Sequence, residues 1–221
     1  MLQKNTAIER YIEQHTTQED HLLAELNRQT HLHVLQPRMV SGHIQGKILE
    51  MISYMIKPKF ILEIGTFTGY SAICLAKGLT DDGCLHTFEI NDELEDLASD
   101  FIERSGYTNK IVQHVGSALK LAPNLNLKFD LIFIDGDKRE YPEYYKMAKE
   151  LIADEGFILA DNVLWDGKVI ETPTPTDLYT QQILKFNQMV QDDPDVENVI
   201  VPFRDGMTFI KMKRKNNTIT N

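Results

Sequence analysis

Two stretches of the chain concentrate oxygen-bearing side chains that suit a hard metal ion. They are DGDK at residues 135–138 and DN at residues 161–162. Carboxylate and amide oxygens are the ligands that Mg²⁺, Ca²⁺ and Mn²⁺ prefer, whereas zinc favours nitrogen and sulfur. Carboxylates placed close together repel one another unless a cation lies among them. Each aspartate could instead cap a helix of its own, but the two stretches together favour a metal site with the ammonium of Lys138 beside it.

A glycine loop, EIGTFTGYS at residues 63–71, is a second candidate site. Gly65 and Gly69 allow the backbone to turn tightly and to approach a ligand closely. The loop lacks the G-x-G-x-x-G spacing of dinucleotide sites, and the carboxylate of Glu63 suits a cationic amino-acid ligand better than a pyrophosphate. Glu89, at the end of the next apolar run, is placed to bind ribose hydroxyls, or else belongs to the start of the following helix. Small residues near Ala118 would accept a flat base, or else simply cap the next helix.

From Phe60 onward, short apolar runs alternate with amphipathic stretches, a pattern typical of a doubly wound α/β sheet of buried parallel strands. The runs are at residues 60–64, 84–90, 110–115, 129–135 and 157–162, and the crossover helices are predicted at 70–79, 92–105 and 142–152. Ligands bind at the carboxyl ends of the strands in such sheets. Both candidate sites follow strands, so both fall where ligands bind.

The two ends of the chain have a different organisation. Residues 1–56 read as helices, with apolar residues at helical spacing and a non-helical joint at 36–42. Strands at 196–203 and 207–213 are separated by residues 204–206 alone, which is too short for a crossover helix, so they predict an antiparallel hairpin at one edge. We therefore expect one domain over residues 1–221. It comprises a helical cap region at 1–56, a Rossmann-like core at 57–215 and a frayed tail at 216–221.

The composition favours a globular protein of the cytoplasm. Hydrophobic residues make up 42% of the chain and charged residues 25%. No apolar run approaches the roughly 20 residues that span a bilayer, and the polar N-terminus does not look like a secretory signal, so no membrane partner is expected. The net charge of −10 weighs against binding to nucleic acid through its phosphates.

Taken together, three motifs resemble those of the cation-dependent O-methyltransferases. The motifs are EIGTFTGYS at residues 63–71, FDLIFIDGDK at 129–138 and DNVLW at 161–165. This family includes the caffeoyl-coenzyme A O-methyltransferases and bacterial relatives, with catechol O-methyltransferase as a more distant member. The resemblance runs from about Arg38 to Lys213. It implies a class I S-adenosylmethionine methyltransferase fold with seven strands, the last antiparallel, N-terminal helices that cover the site, and a homodimer.

Carried over to this chain, the resemblance implies a role for each residue of the site. Asp135, Asp161 and Asn162 would hold a divalent cation, with Mg²⁺ first and Ca²⁺ or Mn²⁺ as alternatives. Lys138 and Asp135 would be catalytic, and Trp165 and Asp166 would border the substrate. S-adenosylmethionine would be lined by Ser41, Glu63, Gly65, Thr66, Ser71, Glu89, Ala118 and Asp137. The plant enzymes tend to have Asn where this chain has Asp166, so the acceptor is not carried over from them.

The implied reaction is methylation of a hydroxyl on a small aromatic, catechol-like acceptor. A neutral phenol, with a pKa of about 10, is a poor nucleophile at neutral pH. A metal ion could bind two vicinal oxygens and stabilise the phenolate, which would then attack the sulfonium methyl in line. Lys138 could act as a general base or remain charged and stabilise the phenolate, and both options stay open.

Three alternatives have different partners or chemistry. The first is an O-methyltransferase that acts on a hydroxylated uridine in tRNA, which would make nucleic acid the substrate. The second is an NAD(P)-dependent oxidoreductase, which the missing G-x-G-x-x-G spacing and the acidic metal cluster disfavour. The third is a non-catalytic module that binds a small molecule, which the presence of Asp135, Lys138 and Asp161 disfavours.

Overall fold

The computed structural model describes residues 6–214. Its helices are α1 (Thr6–Gln14), α2 (His21–His33), α3 (Gly42–Ile56), α4 (Tyr70–Ala76), α5 (Glu95–Arg104), α6 (Ala118–Leu121), α7 (Tyr141–Leu151) and α8 (Leu178–Gln191). Its strands are β1 (Phe60–Ile64), β2 (Cys84–Glu89), β3 (Ile111–Val115), β4 (Phe129–Ile134), β5 (Ile152–Asp161), β6 (Val196–Val201) and β7 (Met207–Met212).

The first of two compact units, residues 1–120, contains three parallel strands. β2 lies between β1 and β3, with Ile64 in register with Phe88 and Glu89 with Val115. The last four residues of β1 are buried, so both faces of the strand are covered, as expected for a parallel strand covered by helices. Every residue of α4 is buried, so the helix that follows the glycine loop is held firmly within this unit.

The second unit, residues 121–221, contains the other four strands. β4 and β5 are parallel, whereas β7 is antiparallel to both of its neighbours, β5 and β6. The aromatic ring of Phe186 on α8 packs edge-on against Tyr141 and Tyr145 of α7, with ring centroids 5.4 and 5.8 Å apart. This aromatic contact holds the two helices of the unit together.

The seven strands form a mixed sheet in the order β3-β2-β1-β4-β5-β7-β6. This order confirms the predicted α/β class with seven strands and the last one antiparallel, and it confirms the β6–β7 hairpin at one edge. The strand order does not test the prediction of a single domain over residues 1–221. Within the part of the chain that the structure describes, no helix combines the length and the apolar character needed to cross a membrane.

Two elements differ from the sequence-based expectation. β5 begins at Ile152 and not at residue 157, because its pairing with β4 continues across an irregularity near Glu155, whose φ is 64°. α8 was not predicted, although its buried residues Ile183, Phe186 and Val190 have helical spacing. The predicted frayed tail, residues 216–221, lies outside the described part of the chain.

Candidate active site

The glycine loop turns sharply between β1 and α4. Gly65 and Gly69 have φ values of 105° and 88°, which residues with a side chain rarely adopt. The backbone N–H groups of Gly65 and Thr66 donate to the carbonyl of Phe88 at 2.9 and 3.2 Å. The loop is thereby attached to the end of β2.

Buried side chains beneath the loop form a short hydrogen-bonded chain. The hydroxyls of Thr66 and Thr87 are 2.6 Å apart, and Thr87 also donates to Oε2 of the buried Glu63 at 2.6 Å. From the N-terminal helices, Thr30 of α2 donates to the hydroxyl of Thr68 at 3.0 Å. The helical cap region therefore contacts the glycine loop directly.

The carboxylate of Glu89 connects the loop to the end of β2. Its Oε2 accepts the backbone N–H of Phe67 at 2.8 Å, and its Oε1 accepts those of Ile90 and Asn91 at 2.9 Å. Asn91, and not Glu89, caps the turn that follows, since its side chain accepts the N–H of Glu93. Glu89 thus supports the loop, and its assignment to a ribose stays a prediction.

The other residues predicted to line the cofactor in this unit lie near helix starts. Ser71 is buried in the first turn of α4, and the buried Ala118 begins α6. Ser41 directly precedes α3. The structure places Glu63, Gly65, Thr66 and Glu89 on or directly beside the β1 and β2 strand ends, and Ser71 in the helix that follows the glycine loop.

In the second unit, the acidic residues meet at the ends of two paired strands. Ile134 of β4 is in register with Ala160 of β5, so Asp135, directly after β4, lies beside Asp161, the last residue of β5. Burial raises the pKa of Asp135 to about 6, and the charge of Asp161 adds to this rise while that of Lys138 opposes it. The sequence-based expectation that these two strand ends come together is met.

Asn162, the third predicted metal ligand, follows Asp161 at a turn in the backbone. Its φ is 59°, in the left-handed region that asparagine tolerates better than most residues. Its N–H donates to Oδ1 of Asp161 at 2.8 Å. Among residues 6–214, no group of three or more His, Cys, Asp or Glu side chains is arranged to hold a metal ion. The predicted set has two carboxylates and one amide, so the metal stays a prediction.

Lys138 is only 8% exposed and is held by two oxygen acceptors. Its Nζ donates to Oδ1 of Asp135 at 2.8 Å and to the hydroxyl of Tyr141 at 2.7 Å. Tyr141 in turn donates to the backbone carbonyl of Asp161 at 2.8 Å. Burial raises the pKa of Tyr141 well above its usual value, so the side chain stays a neutral phenol. No role at the site was predicted for Tyr141, although its i, i+3 spacing from Lys138 was a usable signal.

Asp137, predicted to bind the cofactor, is paired with a neighbour that the sequence analysis did not assign. Its Oδ1 accepts the backbone N–H of Arg139 at 2.9 Å, and both carboxylate oxygens accept Nε of the same guanidinium at 3.0 Å. These bonds hold the pKa of Asp137 below its usual value. Any ligand of Asp137 would share this carboxylate with Arg139.

Trp165 and Asp166, predicted to border the substrate, lie on a loop directly after Asn162. The indole of Trp165 stacks on Tyr179, with ring centroids 5.9 Å apart and an interplanar angle of 9°. Its buried Nε1 has no hydrogen-bond partner among the described residues, which leaves one N–H donor available. Arg139 lies over the same Tyr179 ring, 5.3 Å from its centroid.

The turn between β6 and β7 also reaches this edge, although no site role was predicted for its residues. Asp205 is close enough for the charges of Asp161 and Lys138 to affect it, and burial raises its pKa. The charge of Arg204 stabilises the ionised form of Asp135. The usable signal was a charged pair before Gly206 at a strand-connecting turn.

A seven-stranded sheet with β7 antiparallel, together with a glycine loop after β1, defines the class I methyltransferase fold. An O-methyltransferase from Streptomyces achromogenes involved in tomaymycin synthesis, solved with S-adenosylmethionine, matches with a TM-score of 0.89. It is 29% identical, and the match covers 97% of this chain and 100% of that one. An O-methyltransferase from Bacillus cereus, solved with S-adenosylhomocysteine, matches with a TM-score of 0.88 and 30% identity over 94% and 97% of the two chains.

Sequence comparison gives the family. The family model described as O-methyltransferase matches residues 13–213. Caffeoyl-CoA O-methyltransferase 1 of Eucalyptus globulus is 34% identical over 78% of this chain and 74% of its own length. Catechol O-methyltransferase of Niastella koreensis is 36% identical over 71% of this chain and 72% of its own length. The chain belongs to the O-methyltransferase family, which confirms the resemblance found in the sequence and sets aside the oxidoreductase alternative.

Proposed function

We propose that the protein transfers a methyl group from S-adenosylmethionine to a hydroxyl of a small, catechol-like aromatic acceptor, with a divalent cation as activator. The observation that carries this proposal is the cluster of Asp135, Lys138 and Asp161 at the paired ends of β4 and β5. The names of the relatives, a caffeoyl-CoA and a catechol O-methyltransferase, support an acceptor of the phenolic class.

For the cofactor, the glycine loop and its surroundings have suitable chemistry. The loop turns directly after β1 at Gly65 and Gly69, whose positive φ values suit glycine. The carboxylate of Glu63 would attract the amino group of the methionine portion, and Glu89 would accept the ribose hydroxyls. We assign the remaining contacts to the other residues identified from the sequence, which are Ser41, Thr66, Ser71, Ala118 and Asp137.

For the metal, the donor set fits a hard cation. Two carboxylates and an amide, from Asp135, Asp161 and Asn162, are oxygen ligands typical of Mg²⁺ and also accepted by Ca²⁺ and Mn²⁺. The raised pKa of Asp135 reflects the unfavourable burial of a negative charge beside Asp161, and a cation bound there would offset it. When bound, the metal would act as a Lewis acid that makes the acceptor hydroxyl more acidic.

Lys138 would act as a charged stabiliser of the acceptor oxygen. An ammonium has three N–H donors, and Asp135 and Tyr141 occupy two of them. The third is available to hold the oxygen that attacks the methyl group, so Lys138 would favour the phenolate over the neutral phenol. The hydroxyl proton would leave to solvent water, since Lys138 acts here as a donor.

The proposal also includes a homodimer in the cytoplasm. α1 exposes large apolar side chains, with Ile8 56% and Tyr11 62% exposed. Such a surface is suited to a partner subunit. Light scattering of the purified protein would test the dimer, and a monomer at micromolar concentration would contradict it.

The decisive experiment measures methyl transfer from labelled S-adenosylmethionine to a panel of catechols and to bulk tRNA, with Mg²⁺ and with EDTA. We expect transfer to catechols that EDTA abolishes. Transfer to tRNA alone would overturn the acceptor class but keep the cofactor. Transfer to catechols that persists in EDTA would overturn the proposed requirement for a divalent cation. If calorimetry with S-adenosylhomocysteine shows no cofactor binding, the whole proposal fails.

A further inference from the structure

The loop that carries Trp165 has an unusual backbone. Trp165 and Asp166 have φ values of 48° and 55°, and both lie in the left-handed region that disfavours residues with side chains. Such a conformation persists only where surrounding contacts hold it. Groups outside the left-handed stretch must therefore hold this loop in place.

Most of the supporting contacts come from the turn between β6 and β7. The N–H of Val163 donates to the carbonyl of Gly206 at 3.1 Å, and that of Leu164 donates to the carbonyl of Asp205 at 2.9 Å. The side chain of Asp205 adds a third bond, because its Oδ1 accepts the N–H of Asp166 at 2.5 Å. This is the bond made directly within the left-handed stretch.

Two further contacts fix the sides of the loop. The Leu164 side chain packs against Gly206, where an added Cβ would lie 2.4 Å from Leu164 Cγ. Asn187 of α8 donates through Nδ2 to the carbonyl of Val163 at 2.9 Å. Neither contact reaches Trp165 or Asp166. The indole itself stacks on Tyr179, and the bond from Asp205 holds the backbone that directs the indole onto that ring.

We propose that Asp205 is a positioning residue that fixes the orientation of Trp165 and thereby sets the affinity for the acceptor. Its carboxylate acts through a hydrogen bond to the Asp166 amide, which a side-chain amide could replace because it keeps an acceptor oxygen. The effect on the acceptor rests on the proposed function. The effect on Trp165 does not, because it concerns the loop alone.

Trp165 is the single tryptophan of the chain, so its fluorescence reports on this loop without any substrate. We would compare Asp205→Ala with the matched variant Asp205→Asn. In the alanine variant we expect emission shifted to longer wavelength and stronger quenching by acrylamide, since the indole loses its fixed, partly buried position. The asparagine variant should keep the wild-type spectrum.

Kinetics provide the second readout. We expect Asp205→Ala to raise the acceptor KM roughly tenfold, the loss that one hydrogen bond can account for, with the KM for S-adenosylmethionine unchanged. Asp205→Asn should restore the acceptor KM. If the alanine variant fails to fold, Asp205→Ser replaces it, because its shorter side chain falls short of the Asp166 amide.

Three results would overturn the proposal. Unchanged fluorescence and quenching in a folded Asp205→Ala or Asp205→Ser variant would show that the loop does not depend on this side chain. An asparagine variant as impaired as the alanine variant would show that charge, and not the hydrogen bond, is responsible. An equal rise in both KM values would point to a general loss of structure. The fluorescence result stands even if no catechol is methylated.

Discussion

The hydroxyl of Tyr141 lies 2.7 Å from the ammonium of Lys138 and accepts a hydrogen bond from it. The same hydroxyl donates to the carbonyl of Asp161 at 2.8 Å, so it connects the lysine to the end of β5. Because Tyr141 is fully buried, this geometry is protected from water. A residue at the start of α7 thereby determines where the charge of Lys138 is held.

Replacing Tyr141 by phenylalanine should remove this connection and keep the packing of the ring. We expect the free energy of unfolding to fall by about 1–2 kcal/mol and kcat to fall roughly tenfold, since Lys138 loses one acceptor and its fixed position. Thermal unfolding and steady-state kinetics would measure both effects. Tyr145→Phe is the control. It removes a hydrogen bond from another tyrosine of α7 to Asp193, away from Lys138, and should keep kcat.

Glu89→Gln should weaken cofactor binding. The glutamine has one acceptor oxygen in place of two, so it cannot hold Phe67 together with Ile90 and Asn91 as the carboxylate does. We expect the Kd for S-adenosylhomocysteine to rise at least about tenfold, measured by calorimetry. The exposed Glu93→Gln in the same segment is the control. An unchanged Kd would show that cofactor binding does not depend on the Glu89 carboxylate.

Asp161→Asn should separate metal binding from cofactor binding. The amide keeps an acceptor for the Asn162 N–H but removes a negative charge from the proposed metal site. We expect Mg²⁺-dependent kcat/KM to fall by about 100-fold or more, since Lewis-acid activation is worth several kcal/mol. Binding of S-adenosylhomocysteine should persist. Asp154→Asn, at an exposed position of the same strand, is the control. An equal loss of Mg²⁺-dependent kcat/KM and of S-adenosylhomocysteine binding would refute the assignment.

The stacked pair His86 and His114 predicts a dependence of stability on pH. Nδ1 of His86 lies 3.0 Å from Nε2 of His114, and burial lowers the pKa of both rings. The unfolded chain binds protons at a higher pH than the folded one, so the free energy of unfolding should fall as the pH drops below about 6.5. The raised pKa of Asp135 acts in the opposite direction, so a comparison of variants is needed.

Chemical denaturation at about pH 7.5 and about pH 5.5 would test this, because the window spans the histidine range. His114→Gln should show a smaller loss of stability between the two values than the wild-type protein. The control variant Gln113→Ala, on the same strand, should lower the free energy of unfolding equally at both pH values. An identical pH dependence in all three proteins would show that the histidine pair does not titrate as expected.

Much of the fold could be predicted because strand burial leaves a direct pattern in the chain. β1 was predicted at residues 60–64 and observed there, and the residues 204–206 were too few for anything but a hairpin. The meeting of Asp135 and Asp161 followed from the parallel pairing of β4 and β5. These features depend on local periodicity or on connection length, which a single sequence contains.

Other features depend on contacts between distant parts of the chain. α8 follows a segment without a clear pattern, and its apolar residues are interrupted by glutamines, so its helical spacing was overlooked. The contact of Asp205 with Asp166 requires two turns to meet in space, and no spacing along the chain encodes it. The pairing of Asp137 with Arg139 is local, but the resemblance to the methyltransferase motifs implied a cofactor role for Asp137 and none for Arg139.

The reliance of the Trp165 loop on the β6–β7 turn also bears on how the protein folds. Asp205 and Gly206 supply acceptors to residues that precede them by a whole helix and a strand, so these bonds close a long segment of chain. Contacts of large sequence separation are slow to form, because the entropy of the intervening segment must first be lost. The Trp165 loop should therefore become ordered after β4 and β5 have paired. A folding intermediate without the β6–β7 hairpin would have these two strands paired but no ordered Trp165.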